Sequence, residues 1–238
     1  NDEKLKLNVY LQQWINNKIE TDLKNLIDLK NINENNPELR ALAYHLYENN
    51  GVVKRENIKD FLKKLEQVDR KVLRNLGVKF GKYHIFLFKL FRPNPVSLRI
   101  ALWKNFHQKF FNLKPPTFGL NFVKNKKEYS KDFMLLCGFE KFENFFVRID
   151  ILERLFVKLI NLSEEKNNEI KLTPEMLNLL GCNKEDFLKL IKEMNYSYYA
   201  KNSDTYLTYR PTNKKKQFSP KILKKENPFS VLKNINFE

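Results

Sequence analysis

The sequence predicts a mainly α protein with small β-hairpins: a helical platform, then a winged-helix-like domain, then a basic tail. Three observations predict it. Apolar residues recur at three- and four-residue spacing through much of positions 1–113, the period of an amphipathic helix. From Ile149 to Arg210 the pattern runs helix, short strand, helix, turn, helix, hairpin, the element order of a winged helix. Beyond Pro211 the periodicity stops and lysines gather, as Lys214-Lys-Lys216 and Lys224-Lys225, which predicts an extended segment. The divisions expected are a platform over 1–113, an irregular connector over 114–147, the winged-helix-like domain over 148–210 and the tail over 211–238.

In the platform, Leu7, Leu11, Trp14, Ile15, Ile19, Leu23 and Leu26 predict one long helix over 4–29 with that stripe inward. Pro37 suits the first position of a second helix that runs to Tyr47, and Gly51 suits its C-terminal cap. Helices are expected over Arg55–Gln67 and Asp69–Leu76, the latter ended by Gly77. Val78 to Leu87 is rich in β-formers and predicts a strand or short hairpin around Gly81. A helix over Pro95–Leu113 follows, with Leu98, Leu102, Phe106, Phe110 and Leu113 on its inner stripe, and Pro115-Pro116 stops it. The connector reads as irregular, anchored by Phe118, Phe122 and Phe133, with a weak strand at Asn144–Val147.

In the last third, Ile149–Asn161 predicts a helix and Glu164–Asn168 a polar loop, before a short strand at Ile170–Leu172. Thr173 and Pro174 open a helix that Gly181 ends, and Asn183 caps the next, Lys184–Met194. Strands at Tyr196–Ala200 and Thr205–Arg210 enclose a turn at Lys201–Asp204. No internal repeat is legible.

The charge distribution is the strongest functional signal. From Arg70 to Lys127, 58 residues contain no Asp or Glu but hold 14 Lys or Arg and 11 aromatics. That block supplies +14 of the formal +16, against −1 for 1–69, −2 for 128–210 and +5 for 211–238. An acid-free basic block points to a polyanionic partner. Lys outnumbers Arg by 35 to 9, so the arginines are the more telling, and five of the nine (Arg55, Arg70, Arg74, Arg92, Arg99) fall between 55 and 99. Arg70, Lys71, Arg74, Lys79, Lys82, Arg92, Arg99 and Lys104 are the candidate phosphate contacts; Tyr83, with Trp103, is the candidate stacking platform. Phe86, Phe88, Phe106, Phe110 and Phe111 have core spacing instead. Competing readings of the block are a plain solvated face, or a surface for an acidic membrane or protein. The helix over 95–113 would suit a membrane interface.

Chemistry of other kinds finds little support. Gly77-x-x-x-Gly81-Lys82 is one residue short of a phosphate loop and has Tyr83 where a magnesium-binding hydroxyl is needed. His45, His84 and His107 have no Cys or carboxylate at ligand spacing. Asp150 with Arg154 and Glu185 with Lys189 read as surface pairs, and no serine has a base at a suggestive spacing. No catalytic residue, metal site, cofactor or small-molecule ligand is therefore inferred for this segment. Cys137 and Cys182 sit beside leucines and read as small hydrophobes in a reducing, cytoplasmic compartment. No apolar run approaches the roughly 20 residues that span a bilayer. The opening Asn1, in place of Met, suggests a piece of a longer chain. Lys184–Glu193 balances its charges, which disfavours sequence-specific duplex reading and leaves a structural or strand-separating wing.

Several strings carry a resemblance. Arg70-Lys-Val-Leu-Arg-Asn-Leu-Gly-Val-Lys-Phe-Gly81, Pro95 through Trp103, Arg148-Ile-Asp-Ile-Leu-Glu-Arg-Leu155, Leu179-Leu-Gly-Cys182 and the Tyr-rich hairpin ending Tyr209-Arg-Pro211 come in a suggestive order. Together they resemble the C-terminal region of bacterial superfamily 2 ATP-dependent helicases related to the mitochondrial degradosome RNA helicase, over roughly residues 37–211. The resemblance implies motor domains in cis upstream, with ATP and magnesium bound there. It implies that this segment is an accessory that grips single-stranded RNA or DNA. The alternative is a stand-alone nucleic-acid-binding or regulatory protein without enzymatic activity.

Overall fold

The computed structural model describes residues 2–33, 35–108, 112–165 and 168–210. Among these residues the protein is mainly helical, with three small antiparallel sheets of three strands each. The expected basic tail, the stripe residue Phe110, and Phe111, whose spacing reads as core, lie outside the described residues.

The first helix of the platform is two helices, α1 (Asp2–Asp22) and α2 (Lys24–Lys30), broken at Leu23. Thr21 donates its hydroxyl to the Asn17 carbonyl at 2.7 Å, a back-bond of the kind that bends helices, two residues before the break. The break sends Leu23, Leu26 and Leu29 into the core, whereas Leu7, Leu11 and Trp14 remain more than half exposed. The inward stripe is therefore correct only for its C-terminal half.

After α2 comes a pattern that recurs. Helix α3 (Pro37–Glu48), strand β1 (Val52–Lys54), helices α4 (Lys59–Lys64) and α5 (Gln67–Asn75), and hairpin β2–β3 (Val78–Phe80, His84–Leu87) form the first unit, its sheet ordered β1-β3-β2. Strand β1 precedes a 3-10 turn at Arg55–Ile58, which occupies the start of the longer helix expected over Arg55–Gln67. Asn36 accepts from the Glu38 N–H at 2.9 Å and donates to Asp69 at 2.7 Å, so one side chain caps α3 and ties it to α5.

The second unit is α6 (Pro93–His107), β4 (Phe122–Lys124), α7 (Lys131–Leu136) and hairpin β5–β6 (Phe139–Lys141, Phe145–Arg148), with sheet order β4-β6-β5. The segment 114–147, which reads as irregular, thus holds three strands and a helix. Ser130 caps α7 by accepting from the Phe133 N–H at 3.2 Å. The strands are three or four residues long, and β5 and β6 are mostly buried, so alternation has no room to show.

The third unit is α8 (Ile149–Glu165), β7 (Ile170–Lys171), α9 (Pro174–Leu180), α10 (Lys184–Glu193) and hairpin β8–β9 (Tyr196–Lys201, Asp204–Tyr209), ordered β7-β9-β8. Helix α8 runs on into the expected polar loop. Asn183 caps α10, accepting from the Asp186 N–H at 2.8 Å. Thr173 has cap backbone geometry, but its hydroxyl makes no cap bond and is buried without a partner.

The units share register as well as order. Val53 pairs with Ile85, Val123 with Phe146 and Ile170 with Leu207, each followed by a lysine (Lys54, Lys124, Lys171). One residue before each hairpin the backbone turns left-handed, at Gly77 (φ 93°), Gly138 (φ 86°) and Asn195 (φ 65°). Asn and Gly are the residues that tolerate this conformation, so a different residue type at the third unit hides the repeat from the sequence. Three cores follow: one under the first sheet, one between α6 and α7, and one beneath α8 and α10. Val52, Phe86 and Ile149 form a fourth, smaller core that joins elements of the first and third units, with Leu135 of the second packed on it.

Candidate nucleic-acid interface

The first hairpin determines the site, because its turn is built around a carboxylate from α8. Glu153 accepts the backbone N–H groups of Lys82, Tyr83 and His84 at 2.5, 3.0 and 2.7 Å. Gly81 has to be glycine: a Cβ there would meet the Glu153 carboxylate and stand 2.7 Å from the His84 carbonyl. Arg55 donates to the Gly81 carbonyl at 2.7 Å and holds the turn from the other side. The near-phosphate loop of the sequence is thus an anion nest whose anion is internal.

His84 extends this contact into a network. Its Nδ1 lies 3.0 Å from Glu153, its Nε2 lies 3.1 Å from Glu140 on β5, and Lys54 reaches Glu140 at 2.6 Å. All but Lys54 are buried. Burial opposes charge on His84, but its hydrogen bonds to the two carboxylates raise its pKa above the ordinary 6.5. Burial likewise opposes charge on Glu140, yet the bonds from His84 and Lys54 leave its pKa below the ordinary 4.5. The sequence offered no sign of this, since the partners of His84 lie 56 and 69 residues away. Almost wholly buried apart from Lys54, the network works as a clamp between units.

The charged block divides into distinct places. Lys79 lines a groove of about 760 Å³ between the first hairpin and α8. Arg74 stands next to it, with its guanidinium 5.4 Å from the centre of the Phe80 ring. Lys82 faces a separate cleft of about 520 Å³ that also contains Lys141, Glu56 and Glu193. Arg92 lies with Lys24 and Lys89 beside the α1–α2 break. Lys71 is exposed.

Three candidates serve the fold. Arg99 is 3% exposed and donates to the carbonyls of Pro95, Asn50 and Leu90 at 3.4, 3.0 and 2.6 Å. Burial lowers its pKa to about 10. It does not reach the surface and leaves the set of phosphate contacts. Arg70 is half-buried and donates to the Leu62 carbonyl at 2.7 Å. Lys104 is half-buried and donates to the Leu113 carbonyl at 2.5 Å.

The aromatics exchange roles. Tyr83 packs edge-on against Phe156, with ring centres 4.4 Å apart, and burial raises its phenol pKa. Trp103 packs on Phe133 at 5.7 Å. Phe88 and Phe106, expected inside, are 43% and 83% exposed, while Phe86 is buried as expected. Strand β3 is buried on both faces, and the 3-10 turn after it (Phe88–Phe91) carries Phe88 outward. The pairs read on helix spacing also change: Asp150 is buried and takes Arg148 in a two-pronged bridge at 2.7 and 2.8 Å, and Lys189 lies 3.9 Å from Asp186. Arg154 is left on the exposed side of α8, lining the groove with Lys79.

Within the block, Lys126 has an ion pair, 4.0 Å from Glu128. The exposed remainder, Lys71, Lys79, Lys82, Lys89 and Arg92 among them, faces solvent without a carboxylate within 4.0 Å among the described residues. Comparison with family models, with curated proteins and with solved structures finds no match for the chain. Among the described residues no group of His, Cys, Asp or Glu could hold a metal ion, and no helix is long and apolar enough to cross a membrane. Neither cysteine forms a disulfide, and burial raises the thiol pKa values, to about 12 for Cys137 and about 11 for Cys182.

Proposed function

We propose that this chain is the nucleic-acid-engaging accessory region of an ATP-dependent RNA or DNA helicase. It grips single-stranded backbone while motor domains in cis hydrolyse ATP. The observation that carries the proposal is the charge of the block: cations concentrated in one segment, most of those described being exposed and without an ion pair among the described residues. Phosphates supply the missing counter-charge. The element order and sheet order of the three units support reading each as winged-helix-like, a fold that presents its hairpin and the helix before it to nucleic acid. The motor itself rests on the resemblance of the motifs alone.

Neutralising about six phosphates on a single strand gives a log–log salt slope near −4, or about 2.5 decades of affinity between roughly 50 and 200 mM salt. Charge reversal at Lys71, Arg74 and Lys79 together flattens that slope. A slope near zero for the native chain rejects the proposal. The stand-alone alternative is separated by the reading frame: a phosphate loop in the same chain ahead of Asn1 supports the helicase, and an initiation codon at Asn1 sinks it.

A further inference from the structure

We infer that the groove between the first hairpin and α8 is a subsite for an unpaired base, with Phe88 as the stacking face and Val157 as the opposing wall. The inference rests on the nucleic-acid reading above and assigns the place where single strands are told from duplex. Phe88 and Val157 are 43% and 54% exposed and both line the groove of about 760 Å³, whose floor is the buried Phe86. That volume falls in the range of small-ligand pockets, and an aromatic ring facing an aliphatic wall is a sequence-tolerant seat for a flat ring.

The electrostatics favour a polyanion over an apolar peptide. Each acid that lines the groove has a partner: Asp150 is bridged by Arg148, Glu153 sits in the N–H nest with His84, and Glu175 pairs with Lys158 at 2.5 Å. The remaining cations, Lys79 and Arg154, have no ion pair among the described residues. Unpaired cations beside an aromatic and aliphatic lining match a phosphate–base–phosphate run, and a duplex with its bases stacked cannot enter.

The test uses the full chain and a 12-nucleotide single strand with one fluorescent purine, beside a blunt duplex of equal length. Native protein should quench the purine, and Phe88→Ala should weaken single-strand binding about tenfold to a hundredfold with duplex affinity unchanged. Phe88→Trp should restore quenching, since it keeps the stacking face. Val157→Glu is an independent check at an exposed helix position that tolerates substitution, and should weaken single-strand binding similarly. Unchanged single-strand affinity and quenching in both Phe88→Ala and Val157→Glu, with a steep salt slope retained, overturn the subsite but leave the nucleic-acid reading. No binding by the native chain overturns both.

Discussion

The carboxylate of Glu153 is seated in the turn of a hairpin about 70 residues earlier in the chain, 3.0 Å from the His84 ring and within hydrogen-bond reach of three consecutive backbone N–H groups. Helix α8 and the first sheet are fastened at this point, which sets the width of the groove between them. Removing the carboxylate leaves three N–H groups and a buried imidazole short of partners. Glu153→Ala should therefore cost about 3 kcal/mol or more, read as a lower urea midpoint, and Glu153→Gln less, because one acceptor oxygen remains. Equal midpoints for Glu153→Ala and the native chain would show that the contact contributes nothing.

Gly81 and Glu153 should be coupled. Gly81→Ala forces its Cβ onto the carboxylate, so its cost should shrink when Glu153 is already Ala, leaving the collision 2.7 Å from the His84 carbonyl. A double-mutant cycle measures this, and an interaction energy within about 0.3 kcal/mol of zero would contradict it.

The buried network makes stability depend on pH from both sides. Glu140 has its pKa lowered from 4.5 in the fold, so its contribution is full above 4.5 and is lost as pH falls through the lower folded value. His84 has its pKa raised from 6.5, so its contribution is full below 6.5 and is lost as pH rises through the higher folded value. Between 4.5 and 6.5 both act, and stability attributable to the pair is greatest. Urea midpoints across pH should show an alkaline loss that His84→Gln removes; parallel profiles for the two proteins would rule this out.

Arg99 should behave as a fold residue. Arg99→Met leaves the Asn50 and Leu90 carbonyls without their donor and should cost about 3 kcal/mol, with the salt slope of nucleic-acid binding unaltered. A changed slope with unchanged stability would return Arg99 to the interface.

The helix faces were readable where one side of a helix meets one core: α3, α8 and α10 have apolar stripes at 3.6 spacing, and α3 and α10 have recognisable caps. The hairpin around Gly81 and the one ending at Tyr209 were readable from β-formers and turn residues. In the second unit α6 and the weak strand at Asn144–Val147 were readable, but β4, α7 and β5 were not, because these elements are short and the hairpin is phenylalanine-rich without a turn signature. Phe88 and Tyr83 show the same limit at the site. Each is an aromatic beside a lysine, and whether the ring packs or faces solvent is decided by elements far along the chain.

The sequence by itself determined the elements that depend on neighbours in the chain: helical stripes, caps, and a 58-residue block without acids that no local pairing can neutralise. Tertiary structure alone decided which charges remain available. Arg99 turns inward to carbonyls 9 and 49 residues away, and Glu153 fills the one turn that resembled a phosphate cradle, about 70 residues before it. The physical reason is range. Period and capping act over three or four residues, whereas a buried charge takes whichever partner the packing brings within about 3 Å.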